Sequence, residues 1–64
     1  NYSALASSLK FLHEWASMLD KKTIALPYGL GCGIAGGDWN IVSKLVEDEF
    51  GADEELVCYI CRLV

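Results

Sequence analysis

Tyr28-Gly29-Leu30-Gly31-Cys32-Gly33-Ile34-Ala35-Gly36-Gly37-Asp38-Trp39 holds five of the chain's six glycines and separates an apolar run from an amphipathic one. Upstream, Thr23-Ile24-Ala25-Leu26 stops at Pro27, a residue that cannot donate to a ladder and suits a strand end. Downstream, Trp39, Val42, Leu45, Val46 and Phe50 recur at helical spacing behind Asp38, a natural N-cap. Strand, glycine turn and helix start in that order gather backbone N–H groups and the positive end of a helix dipole, an arrangement that favours a bound phosphate.

Working outward, the segment from Ser3 to Leu19 carries apolar residues at Leu5, Leu9, Leu12, Ala16 and Leu19. A second row runs through Ala4, Phe11, Trp15 and Met18, which predicts a helix with a wide buried face and Ser3 as its N-cap. Asp20-Lys21-Lys22 makes the turn into a first strand over Lys22 to Leu26, apolar on both faces in the manner of a parallel strand covered by helices. Gly51, just past the last periodic residue of the second helix, is the expected left-handed terminus. Ala52 to Glu55 then connects to a second β run from Leu56 to Leu63. The order is α-β-α-β, with no internal boundary, repeat or linker.

Sixty-four residues allow one small domain, and a domain of about 60 residues buries only about 60% of the surface its unfolded chain exposes. Yet hydrophobic residues make up 53% and charged residues 22%, the composition of a core with little solvated periphery. Two parallel strands joined by one crossover also leave edges and faces open, and such pairs belong inside larger sheets. The chain therefore reads as an incomplete α/β layer, to be completed by a missing domain half, a partner chain or a second copy.

The net charge of −4 and scattered Lys and Arg give no basic stripe for a nucleic-acid duplex. Glu47-Asp48-Glu49 and Asp53-Glu54-Glu55 read as a solvated helix end and loop, not a metal site. No apolar run approaches the roughly 20 residues needed to span a bilayer. Three cysteines, an odd count, fit reduced thiols, and the whole reads as a soluble cytoplasmic protein. Cys58 and Cys61 match C-x-x-C, but in a β run positions i and i+3 face opposite ways, which disfavours one metal or one bridge. His13, the sole histidine, lies near the apolar surface of the first helix without a second His or a clear carboxylate partner and reads as a surface or boundary residue with no evident chemistry.

Gly31 to Gly36 satisfies G-x-G-x-x-G between a strand and a helix, the first requirement of a dinucleotide fold. The second is not met: Asp53, Glu54 and Glu55 precede the next strand, whereas the ribose-binding acid of that fold follows it. A P-loop is excluded because no Gly-Lys-Ser/Thr follows the glycines. A phosphate-cradling turn survives both objections.

The run from Leu26-Pro27 through Gly31-Cys32-Gly33 and Gly36-Gly37-Asp38-Trp39, with Val42 and the helical Leu45-Val46-Glu47-Asp48-Glu49-Phe50, closely resembles the C-terminal part of macro domains. Among these it is most similar to the compact group that includes the terminal ADP-ribose protein glycohydrolase and bacterial and phage relatives. The resemblance covers nearly all of residues 1–64 but only about half of a domain of that family, whose three-layer sheet this α-β-α-β piece would share. It implies ADP-ribose binding, either free or on a modified substrate, with no cofactor and no metal. Carried over by position, Gly31, Cys32, Gly33, Ile34 and Ala35 line the diphosphate and distal ribose. Tyr28, Gly29 and Leu30 stand at the approach, and Gly36 lets the backbone come close. The glycohydrolase uses an acidic residue where this chain has Ala35, so no catalytic residue carries over. Hydrolysis would rest on the N-terminal half. The alternatives are a non-catalytic ADP-ribose or nucleotide-phosphate reader and a structural fragment that binds nothing.

Overall fold

A computed structural model of the chain describes residues 2–30 and 37–62. Helix α1 spans Tyr2–Met18, strand β1 Thr23–Pro27, helix α2 Trp39–Phe50 and strand β2 Val57–Cys61, in the α-β-α-β order that the periodicities predict. The strands pair in parallel with Thr23 opposite Val57 and Pro27 opposite Cys61, so both end at the same level. The described residues thus form a small mixed α/β unit with two helices and a two-stranded parallel sheet.

Period-two alternation decides which strand residues reach the core. Leu26 is buried and Ile24 and Cys58 are half-buried, whereas Thr23, Ala25, Val57 and Tyr59 are exposed. One sheet face is therefore covered and the other open, in contrast to the expectation of strands buried on both sides. The core joins Leu9 and Ala16 of α1, Leu26 of β1, Val46 and Phe50 of α2, and Leu56 just before β2. Leu5 and Leu12 pack against it. The second apolar row of α1 does not: Phe11, Trp15 and Met18 are 71%, 48% and 84% exposed, and Leu19 is exposed as well. The wide buried face expected for α1 is a narrow one, because α2 and a two-stranded sheet can cover only one stripe of it.

The helix ends differ from expectation in instructive ways. Helix α1 begins at Tyr2, which places Ser3 inside it and not at the cap. It ends in a Schellman motif, in which Lys21 N–H donates to Ala16 C=O (2.9 Å) and Asp20 N–H to Ser17 C=O (3.1 Å). Asp20 takes the left-handed position, φ 55°. Gly51, by contrast, is right-handed (φ −64°, ψ −28°), and its N–H donates to Glu47 C=O. Glycine is needed there for closeness rather than for handedness. A Cβ on Gly51 would stand 2.6 Å from the Glu47 carbonyl oxygen, a distance that forces backbone to shift. Gly51→Ala is accordingly expected to destabilise by about 1 kcal/mol, overpacking outweighing the gain in helix propensity. A urea midpoint that rises in the variant would refute this.

Candidate functional site

The parallel strands bring Pro27 and Cys61 to one end of the sheet, and Tyr28 N–H ties the strand ends together by donating to Cys61 C=O at 2.7 Å. From there the chain turns: Leu30 N–H donates to Pro27 C=O (3.2 Å). Gly29, third in the turn, takes φ 82°. That value suits a type II turn, and only glycine adopts it without strain. Leu30 then folds back onto the core. Gly31, Cys32, Gly33, Ile34, Ala35 and Gly36, the centre of the predicted phosphate loop, lie outside the described residues.

The chain is described again at Gly37 and enters α2 through the expected cap. Asp38 Oδ1 accepts from Asn40 N–H at 2.8 Å, and Asp38 C=O accepts from Ile41 and Val42 N–H. Asp38 N–H donates in turn to the Tyr2 hydroxyl (2.8 Å), which links the start of α1 to the start of α2. The carboxylate is spent on the helix end, as its sequence position predicts.

Three side chains converge at this end of the sheet. The Tyr28 ring meets the Trp39 ring with centroids 4.8 Å apart and planes at 51°. The Arg62 guanidinium also lies over the Tyr28 ring, its Cζ 4.2 Å from the centroid. Of these, Tyr28 is the one that the sequence places at the site approach. Arg62 belongs to no motif, and the β run expected from Leu56 to Leu63 contains it; only the end of β2 at Cys61 puts it at the strand ends, where α/β sheets bind ligands.

His13 is half-buried, as a boundary reading expects, but it does have carboxylate partners: its Nδ1 lies 2.8 Å from Glu49 Oε2 and its Nε2 2.6 Å from Asp53 Oδ2. The ring also packs against Phe50, centroids 4.7 Å apart. Two ionised carboxylates require both ring nitrogens to donate, which is the imidazolium form. The hydrogen bond to Asp53, and then that to Glu49, raise the His13 pKa against the opposing effect of burial. The same bond, joined by Glu55 N–H, lowers that of Asp53. This cluster joins α1, α2 and the loop after α2.

Cys58 and Cys61 are free thiols, the first half-buried against the core and the second exposed. Burial raises the Cys58 pKa, which makes it a poor nucleophile. Among the described residues no group of three or more His, Cys, Asp and Glu side chains could hold a metal ion. No helix there is long and apolar enough to cross a membrane. The larger of the two described cavities, an open groove of about 470 Å³ between α2 and β2, is lined by Val46, Glu47, Phe50, Leu56, Cys58 and Ile60 among others. It includes none of Tyr28, Gly29 or Leu30. Its apolar walls fit an unfinished packing surface better than a phosphate site, which needs donors. No protein-family model, curated protein or solved structure matches the chain.

Proposed function

We propose that this chain supplies the diphosphate and distal-ribose loop of an ADP-ribose site, within a macro-type domain of which it forms the C-terminal half. The observation that supports this reading best is the order of parts at one end of the sheet: a parallel strand ending at Pro27, a glycine turn at Gly29, and a capped helix starting at Trp39. A glycine-rich connection between such a strand and such a helix offers main-chain N–H groups to phosphate oxygens.

Binding is the activity assigned to these residues. Hydrolysis would be a property of the complete domain, since Ala35 offers no acid or base. The open sheet face, the groove beside α2 and the exposed Phe11-Trp15-Met18 stripe support completion by a further segment or chain. Free thiols at Cys58 and Cys61 fit a reducing compartment such as the cytoplasm.

Titration of ADP-ribose into a Trp15→Phe background, in which Trp39 is the remaining indole, is expected to give a saturable fluorescence change. No response from a folded sample at millimolar ligand would refute the reading. Gly33→Val is expected to abolish the change by placing a branched side chain where backbone must approach the ligand. Release of free ADP-ribose from a modified substrate would identify an enzyme, and binding without release a reader.

A further inference from the structure

We infer that Arg62 is a ligand for the anionic phosphates of the bound molecule and that Tyr28 is the residue that positions it. This rests on the ADP-ribose reading for the identity of the ligand, but the chemistry is that of any diphosphate ester.

Two observations carry it. The first is place. Arg62 follows the last residue of β2, and Cys61, its neighbour, accepts the hydrogen bond from Tyr28 N–H. Tyr28 in turn contacts Trp39, the first residue of α2. Arg62, Tyr28 and Trp39 therefore form one continuous contact across the ends of β2, β1 and the start of α2, between the points where the chain leaves β1 and enters α2. The carboxyl end of a parallel pair is the side on which such sheets bind ligands.

The second observation is that, among the described residues, the guanidinium is held over a ring and pairs with no carboxylate. The chain has nine acidic residues against five basic ones, yet the ion pairs among the described residues engage His13, Lys22 and Lys44, not Arg62. Asp38, the acidic residue at the start of α2, is committed to Asn40 N–H. Arg62 instead lies over the face of Tyr28. A guanidinium placed over an aromatic face by its central carbon still has N–H donors directed away from the ring, and such a fork matches a phosphate in bidentate fashion. A lysine could not be held in the same way. The ring orders the side chain before the ligand arrives, which reduces the entropy lost on binding.

The test uses the full chain in the Trp15→Phe background with two probes, ADP-ribose and inorganic pyrophosphate. Arg62 is exposed, so Arg62→Gln should keep the far-UV circular dichroism of the parent. It is expected to weaken ADP-ribose binding about tenfold, the loss of a charge-assisted pair. It should also flatten the dependence of affinity on salt. Arg62→Lys should recover only part of the affinity, because it keeps the charge but not the fork. Tyr28→Leu should weaken binding of the parent but add little to Arg62→Gln, since a positioning residue acts through the side chain it holds. Unchanged ADP-ribose affinity in Arg62→Gln overturns the inference and leaves the ADP-ribose reading standing. Arg62-dependent binding of pyrophosphate without any response to ADP-ribose supports the inference and removes that reading. Silence from both probes in a folded chain overturns both.

Discussion

Phe50→Ala is expected to lower the melting temperature of this chain by well over 10 °C. Phe50 is 4% exposed in the last turn of α2, within a core shared by Leu9, Ala16, Leu26, Val46 and Leu56. Truncating a buried Phe costs about 3–5 kcal/mol. At about 0.05–0.15 kcal/mol per residue, a domain of this length has roughly 3–10 kcal/mol in total. The loss therefore consumes most of the stability. Phe50 is also the apolar surface against which His13 packs, so its removal loosens the ring that holds two carboxylates. Phe11→Ala is the control. The same side chain is removed from a position 71% exposed, where substitution moves stability by no more than about 0.5 kcal/mol. Melting followed by far-UV circular dichroism should separate the two variants by well over 10 °C, and equal melting temperatures would place the core elsewhere.

That contrast between two phenylalanines also shows what periodicity can and cannot give. The recurrence of apolar residues at helical spacing locates α1 and α2, and Pro27 and the β-branched runs locate both strands to within a residue or two at most ends. For α2 the pattern also identifies the buried stripe, since Val42, Val46 and Phe50 are its buried residues. In α1 two apolar rows compete, and hydrophobicity alone does not say which one meets the sheet. The number of strands available to cover them decides, and that is a property of the tertiary structure.

Local chemistry is legible where the partner lies close in sequence. Asp38 caps Asn40 N–H two residues on, and Gly29 takes the positive φ of its turn. The left-handed end expected at Gly51 is not taken up there, where the glycine serves a close contact with Glu47, whereas Asp20, at the end of the other helix, takes a left-handed conformation that no sequence signal marked. Contacts between distant segments leave no local trace. The partners of His13 lie 36 and 40 positions away, as does the hydroxyl of Tyr2, 36 positions from the Asp38 amide. Arg62 over Tyr28 is of the same kind, brought about by parallel strands ending together.

His13, Glu49 and Asp53 lead to a stability that depends on pH in a definite direction. The raised His13 pKa lies above the value of about 6.5 expected in the unfolded chain. Its contribution is thus fully present below pH 6.5 and is lost as pH rises through the folded-state value. Asp53 works in the opposite direction. Its lowered pKa makes a contribution that is present above the unfolded value of about 3.9 and is lost as pH falls through the folded-state value. The two windows overlap between about pH 4 and 6.5, where the imidazolium and the carboxylate are both charged. The chain is therefore expected to melt higher at pH 5.5 than at pH 8.5. The His13 side chain is 18% exposed and donates to two charged acceptors, so His13→Ala should cost on the order of 2 kcal/mol at pH 5.5. That corresponds to roughly 10 °C in a domain of this size. As pH rises through the folded-state value the cost should shrink toward that of the lost packing on Phe50, because a neutral imidazole can donate to one carboxylate at most. Moderate salt should narrow the difference without abolishing it, since the cluster is mostly but not wholly sheltered from solvent. A melting temperature that stays level from pH 5.5 to 8.5 would remove His13 as the bond between the helices. An alkaline decline that persisted undiminished in His13→Ala would remove it too, for the titrating group would then be another.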